Sequence, residues 1–209
     1  MKKDLFAHKS KNWDMKSRRV QNAKSIAQII SDKVNLTKDM VLADFGAGTG
    51  LLSYFLSDYV KKIIAIDNSP SMLETLKEKL NTFKCEIEIQ NIDLTKESFI
   101  KLENMQLDGI TSSMTLHHIQ DIEDIFKRMY LMLKEGGFIA LADLEKEDGT
   151  FHSDNEGVFH FGFNESELTQ IARKVGFRDI SFLRVNTIKK DRDFHVFLLI
   201  AKKIKKGLI

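Results

Sequence analysis

The sequence predicts a mainly parallel α/β sandwich, and three observations predict it. Short apolar runs alternate with stretches of helical period, the first apolar run ends in a cluster of three glycines, and the last two runs are joined by a short link that implies an antiparallel hairpin. The chain has 209 residues, of which 43% are hydrophobic and 30% charged, so it can bury a sizeable core and is too apolar to be disordered. No internal repeat, low-complexity run or linker stands out, and Pro70 is the only proline, which gives a single domain over residues 1–209.

The elements follow in order. After a polar, irregular opening to about Trp13, the residues Val20, Ala23, Ile26, Ala27, Ile30 and Val34 recur at helical spacing. Met40 to Phe45 is a short apolar run and reads as a buried strand that enters the tight loop Gly46-Ala47-Gly48-Thr49-Gly50. Leu51, Leu52, Phe55 and Leu56 begin a helix, and Ile63 to Asp67 forms a second apolar strand. Ser69 and Pro70 fit the N-cap and first position of a helix through Met72, Leu73, Leu76 and Leu80. Cys85, Ile87 and Ile89 alternate with Glu86 and Glu88, which predicts a strand with one wet face at a sheet edge. A short helix around Lys96–Leu102, a strand around Asp108–Ser113 and an apolar-faced helix over Ile122–Leu133 come next, with Gly136 and Gly137 as its stop. Phe138–Leu144 is another apolar strand. The segment 145–163 is long, polar and aromatic without a clear period, as functional loops are. Asn164 and Glu167 have capping-box spacing for a last helix ending at Gly176, and strands near Ile180–Thr187 and His195–Lys202 close the chain.

Composition excludes several functions. Lys plus Arg total 32 against 30 for Asp plus Glu, so the net charge of +2 offers no global attraction to nucleic acid or to an anionic membrane. Cys85 is the only cysteine, which excludes intrachain disulfides and cysteine-rich zinc sites. The longest apolar stretch, Val196–Ala201, is far below the ~18 residues of a membrane span, and no signal-peptide core follows Lys2 and Lys3, so the expectation is a cytoplasmic protein.

In a parallel sheet, ligands bind beyond the carboxyl ends of the strands, which directs attention to the glycine loop. Its glycines allow positive φ and let a ligand approach without Cβ atoms in the way. Asp67, at the end of the second strand, is placed to accept hydrogen bonds from two ribose hydroxyls; as an alternative it caps the helix that follows. Asp44 separates a dinucleotide from other nucleosides. Two residues before Gly46, it would repel a pyrophosphate and favour the ammonium of a bound amino acid. The spacing G-x-G-x-G, with Leu51 and Leu52 where a dinucleotide fingerprint wants its third glycine, points the same way.

Asp44-Phe45-Gly46-Ala47-Gly48-Thr49-Gly50 is similar to the first motif of the class I S-adenosylmethionine-dependent methyltransferases, and Ile66-Asp67-Asn68-Ser69 to the second. Asp93 in Asn91-Ile92-Asp93-Leu94 resembles the acidic position that meets the adenine amino group. Ser112-Ser113-Met114-Thr115-Leu116-His117-His118, followed by Leu133-Lys134-Glu135-Gly136-Gly137, resembles the small-molecule branch that includes the quinone-biosynthesis C-methyltransferases. The resemblance covers nearly the whole chain. It implies a Rossmann-like three-layer sandwich with about seven strands, the last antiparallel, and S-adenosyl-L-methionine as cofactor. It implies a cofactor site drawn from Asp44, Gly46, Ala47, Gly48, Gly50, Asp67, Asn68, Met72, Asp93, Leu94 and Ser113. Thr111-Ser112-Ser113-Met114 stands where amino-group methyltransferases of nucleic acid and protein carry Asn/Asp-Pro-Pro-Tyr, so a small-molecule acceptor is expected and nucleic acid is not. Lys202, Lys203, Lys205 and Lys206 read as a solvated tail.

For the chemistry, His117 and His118 follow the fourth strand, beside the position that the resemblance gives the methyl group. Histidine titrates near neutrality and suits a general base, so His117 is the candidate catalytic residue; the alternative is that the pair packs or caps the next helix. In extended backbone two adjacent residues cannot both face the cleft, which favours His117 over His118 for the direct role; His118 is counted among the acceptor-binding candidates. His152, His160 and Phe163, with Phe159 and Phe161, are expected to wall the acceptor pocket, and no metal motif fits their spacing. Residues 1–34, with Trp13, resemble the family's lid, although Trp13 could equally be a packing anchor. Two other readings stay open: a non-catalytic cofactor-binding scaffold, and a nicotinamide oxidoreductase, against which Asp44 and the glycine spacing argue.

Overall fold

The computed structural model describes residues 4, 14, 17–97 and 104–204. Trp13 and most of the helix expected over Lys96–Leu102 lie outside the described residues. By its internal contacts the chain divides into two units, Met1–Asp93 and Leu94–Ile209.

In the first unit, helix α1 (Ser17–Lys33) buries Ala23, Ile26, Ala27 and Ile30 on one face, the stripe its periodicity predicts. Strand β1 (Val41–Phe45) leads through the glycine loop into α2 (Leu51–Leu56), and β2 (Lys62–Asp67) leads into α3 (Pro70–Lys77). Strand β3 (Glu86–Asn91) completes a parallel set in the order β3, β2, β1. The apolar runs of β1 and β2 are buried, whereas β3 is exposed or half-buried along its length, as its alternation predicts for an edge. Glu86 and Glu88 on its wet face both reach Lys62 Nζ, each at 2.8 Å. Ser69 caps α3 by accepting from the Met72 N–H at 3.3 Å, with Pro70 at the first helical position.

The second unit holds β4 (Leu107–Ser113), a 3₁₀ turn (Leu116–His118), α4 (Ile122–Met132), β5 (Leu133–Leu144), the loop 145–163, α5 (Glu165–Val175), β6 (Phe177–Lys189) and β7 (Asp193–Lys203). Strands β4 and β5 are parallel, and β7 runs antiparallel to both β5 and β6, giving the order β4, β5, β7, β6. The last strand is thus the antiparallel one. The described residues hold seven strands, three in the first unit and four in the second. Asp121 caps α4 through the Asp124 N–H at 2.9 Å, and Arg128, on the buried side of that helix, donates to the Leu94 and Glu97 carbonyls.

Two local expectations are corrected. Gly136 and Gly137 do not stop α4, which ends at Met132; both lie in β5, whose register against β4 jumps between the pairs Leu107–Leu133 and Gly109–Phe138. A Cβ on Gly137 would sit 3.0–3.2 Å from the carbonyl oxygens of Lys134, Asp108 and Leu107, so close backbone approach accounts for that glycine. Asn164 occupies the N-cap of α5 but its side chain makes no capping bond.

Candidate active site

In the first unit, Gly46, Gly48 and Gly50 have φ of 69°, 54° and 79°, a conformation that only glycine adopts without strain. The loop is fastened to β2: the Gly46 and Ala47 N–H groups donate to the Ile66 carbonyl at 2.8 and 3.1 Å, and the Gly48 N–H donates to Asp67 Oδ2 at 2.7 Å. Asp67 also accepts from the Ser69 N–H at 2.8 Å, so it shapes both the loop and the start of α3. Burial pushes its carboxyl above the usual carboxylate range, against the pull of the Ser69, Gly48 and Asn68 N–H groups. A Cβ on Gly48 would meet nothing within 4 Å, so the backbone there borders open space of the kind a nucleoside needs. Asp44 is buried and accepts from the Ser53 hydroxyl at 2.5 Å. Asn68 is exposed, Met72 is buried in α3, and Asp93 is half-buried.

Two carboxylates ahead of α1 reach the same loop and helix end. Asp14 accepts from the Thr49 hydroxyl at 2.6 Å and pairs with Lys79, while Asp4 accepts from Ser69 Oγ at 2.8 Å and from the Ser71 N–H at 3.2 Å. Sixty-five or more positions separate Asp14 from Lys79 and Asp4 from its partners, and no local pattern pointed to either.

In the second unit, the backbone leaves β4 through Met114, a non-glycine residue at φ 60°, and turns into the 3₁₀ helix that carries His117 and His118. The turn replaces the extended backbone expected there, so the two rings lie side by side with centroids 4.1 Å apart. His117 is 1% exposed, and its Nδ1 lies 2.7 Å from Oδ1 of Asp143, itself fully buried in β5. Asp143 also accepts from the backbone N–H of His117 at 3.2 Å and of Leu144 at 2.7 Å. Burial raises the Asp143 carboxyl, but the charge and hydrogen bond of His117 and those two N–H groups outweigh it and hold it below the usual range. Asp143 was missed in the sequence. Its signal was an acid inside the apolar run Phe138–Leu144, a position where charge is rarely buried unpaired.

The segment 145–163 is a closed loop. Its base is zipped by Phe163 N–H to the Leu144 carbonyl at 2.9 Å, and by Lys146 and Glu147 N–H to the Phe163 and Phe161 carbonyls, both at 3.0 Å. Its tip is pinned to the histidine turn: Phe159 and His160 N–H donate to the His117 carbonyl at 2.9 and 3.3 Å, His118 Nδ1 meets the Gly157 carbonyl at 2.7 Å, and His160 Nε2 meets the Ile119 carbonyl at 2.9 Å. Of the residues expected to wall a pocket, Phe163 is 2% exposed and packs edge-on to Phe197, whereas Phe159 and Phe161 face solvent. His152 reaches the histidine turn, with ring centroids 4.9 Å from His117 and 5.9 Å from His118. The Nε2 atoms of His117 and His152 are both buried without a hydrogen-bond partner. No group of three or more His, Cys, Asp or Glu among the described residues is arranged to hold a metal.

Burial first, then the charges of His117, His118 and Lys190, push the His152 imidazole down to about 4, with Asp143 opposing. A histidine with a depressed folded pKa contributes stability that is present above its usual value and is lost as pH falls toward the folded one. Wild-type protein should therefore lose stability from about pH 6.5 toward about pH 4, and His152→Gln should lose less over that window. Urea midpoints across the range test this; identical acid slopes would show that His152 protonates freely in the folded state.

Residues 43–141 match the family model described as a methyltransferase domain. That match, just under half of the chain, is a likeness to a methyltransferase domain. Over 135 residues the chain is 31% identical to an uncharacterized methyltransferase of Schizosaccharomyces pombe, an alignment covering 59% of this chain and 48% of that protein. The chain thus spans about half the length of this curated relative. Among solved structures, a chain from a complex of the Haloferax volcanii Trm112 methyltransferase activator with a methyltransferase superposes with a TM-score of 0.75 at 15% identity, over 97% of both chains. The Haemonchus contortus phosphoethanolamine N-methyltransferase 2, in complex with phosphomonomethylethanolamine and S-adenosylhomocysteine, superposes with a TM-score of 0.70 at 17% identity, over 86% of this chain and 52% of that one. These likenesses show the Rossmann-like methyltransferase fold. No helix of the described residues is long and apolar enough to cross a membrane.

Proposed function

We propose that the protein transfers a methyl group from S-adenosylmethionine to a small organic acceptor, with His117 as the general base. The observation that carries this reading is the buried His117–Asp143 pair at 2.7 Å, with His117 Nε2 left unpartnered. When bound, the cofactor supplies an already activated methyl carbon, which leaves the protein to align a nucleophile and take its proton.

The cofactor residues of this reading are those of the glycine loop with Asp44, Asp67, Asn68, Met72, Asp93, Leu94 and Ser113. Asp67 would exchange its Gly48 contact for, or share it with, the ribose hydroxyls, and Asp44 would favour the ammonium end. His118, His152, His160, Phe163 and Trp13 belong to the acceptor side, and residues 1–34 to a lid. Asp4 and Asp14, bound to the α3 end and the glycine loop, support the lid. The likeness of the His117 region to the quinone-biosynthesis branch makes quinols one class of acceptor to include.

Asp67→Ala should weaken cofactor binding about ten- to a hundredfold, since a charge-assisted hydrogen-bonding carboxylate contributes about 1.5–3 kcal/mol. Calorimetry with S-adenosylhomocysteine measures it. Unchanged affinity with lowered thermal stability would make Asp67 a loop and helix fastener alone, and tighter binding of NADH than of the sulfur nucleoside would remove the methyltransferase reading altogether.

A further inference from the structure

We infer that Asp143 is the positioning residue that makes His117 a base, and that His152 supplies a second imidazole so that the pair receives an uncharged hydroxyl group. The inference rests on the methyl-transfer reading and names the chemistry of its acceptor. An ionised carboxylate only accepts, and Asp143 Oδ1 lies 2.7 Å from His117 Nδ1, so that nitrogen must carry the proton. In neutral imidazole the other nitrogen is then a lone-pair acceptor. His117 Nε2 is therefore an acceptor, buried in a residue 1% exposed, and no described residue donates to it. A buried acceptor without a donor is costly, which singles it out as awaiting a ligand or solvent group.

His152 brings the complementary half. It sits on the closed loop whose tip is fastened to the His117 carbonyl, and its Nε2 is the other buried, unpartnered side-chain atom of the described residues. The two ring centroids are 4.9 Å apart, so the imidazoles are neighbours. With Nε2–H on His152, as proposed, opposite the lone pair of His117, a group that both donates and accepts satisfies both. A hydroxyl does so. An ether or thioether has no proton for His117, and an ammonium has no lone pair for His152. The charge of Lys190 acts on His152 against a further cation, with Asp143 opposing it.

In the step, the hydroxyl proton passes to His117 Nε2 and an oxygen–carbon bond forms to the methyl group. The methyl–sulfur bond breaks, its electron pair stays on sulfur, and the imidazolium, held against Asp143, later releases the proton to solvent. The nucleophile is generated where it is used, so no free alkoxide or phenolate needs to bind.

The test reads the imidazoles directly, without turnover. In the full chain with ¹⁵N-labelled histidine at pH 8, long-range ¹H–¹⁵N correlation should show His117 as the Nδ1–H tautomer, assigned by its loss in His117→Asn. Asp143→Asn, which can donate to Nδ1, should convert it to the Nε2–H form. Phenol should shift both the His117 and His152 ring nitrogens, whereas anisole and benzylammonium should shift neither. An Nε2–H tautomer in the wild-type protein overturns the role of Asp143, and this reading alone decides it if Asp143→Asn does not fold. Anisole or benzylammonium acting like phenol, or phenol without effect, overturns the hydroxyl assignment. Failure of the methyltransferase reading would appear elsewhere, as absent binding of S-adenosylhomocysteine.

Discussion

His117→Ala is expected to lower methyl transfer by about 10²–10⁴-fold, the usual contribution of a positioned general base, while affinity for S-adenosylhomocysteine stays within a few-fold. Alanine also removes the partner of a buried carboxylate, so a loss of activity by itself would not separate chemistry from structure. His117→Asn separates them. Its side-chain amide can donate to Asp143 as Nδ1–H does, yet it offers no basic nitrogen. Both variants should lose turnover to a similar extent, and only alanine should lower the thermal midpoint appreciably. Near-normal turnover in His117→Asn at saturating acceptor would mean that alignment carries the reaction and that His117 is a packing residue.

The second large effect is expected at Gly162, at the base of the closed loop. Its φ is 68°, and a Cβ there would lie 2.1 Å from the Glu145 carbonyl oxygen and 2.9 Å from that of Leu144. Both neighbours are backbone, fixed by the bridge between Glu145 and Phe163, so neither can swing aside. Gly162→Ala should cost about 2–4 kcal/mol, from strain at a left-handed residue together with overpacking. In a chain of this size that is a fall of roughly 5–15 °C in thermal midpoint. Gly48→Ala makes the contrast, because there the added methyl meets nothing within 4 Å. It should cost only the backbone strain, about 1 kcal/mol, yet reduce affinity for S-adenosylhomocysteine if the open space beside the loop is the proposed cofactor site. Comparable midpoints for the two variants would show that the Gly162 crossing relaxes more easily than its geometry implies.

Most of the fold was legible because its signals are local. The stripe on α1, the apolar runs of β1 and β2, the alternation of β3 and the Ser69-Pro70 cap each reside within a few consecutive residues. The glycine loop and Asp67 were legible for the same reason, since a strand-to-helix turn and the next strand end have a fixed relation in this architecture. The His117–Asp143 pair was half legible. Its partners are 26 residues apart, and their meeting depends on the parallel register that sets Ser113 opposite Ala142, which no spacing rule in the sequence expresses. The side-by-side histidines were hidden by a 3₁₀ turn where extended backbone was the simpler assumption. Asn164 shows the opposite error: a good capping pattern whose side-chain bond is not made.

The loop 145–163 is attached to the histidine turn and to its own base largely through main-chain N–H and carbonyl groups. Such an attachment is nearly indifferent to which side chains the loop carries, apart from Gly162 and the few residues that touch His117. Its sequence can therefore drift, or be exchanged for that of another loop of equal length, while the His117–Asp143 pair stays in register. On the proposed reading, acceptor choice would then be a replaceable cassette, open to evolution and to grafting without redesign of the strands that hold it.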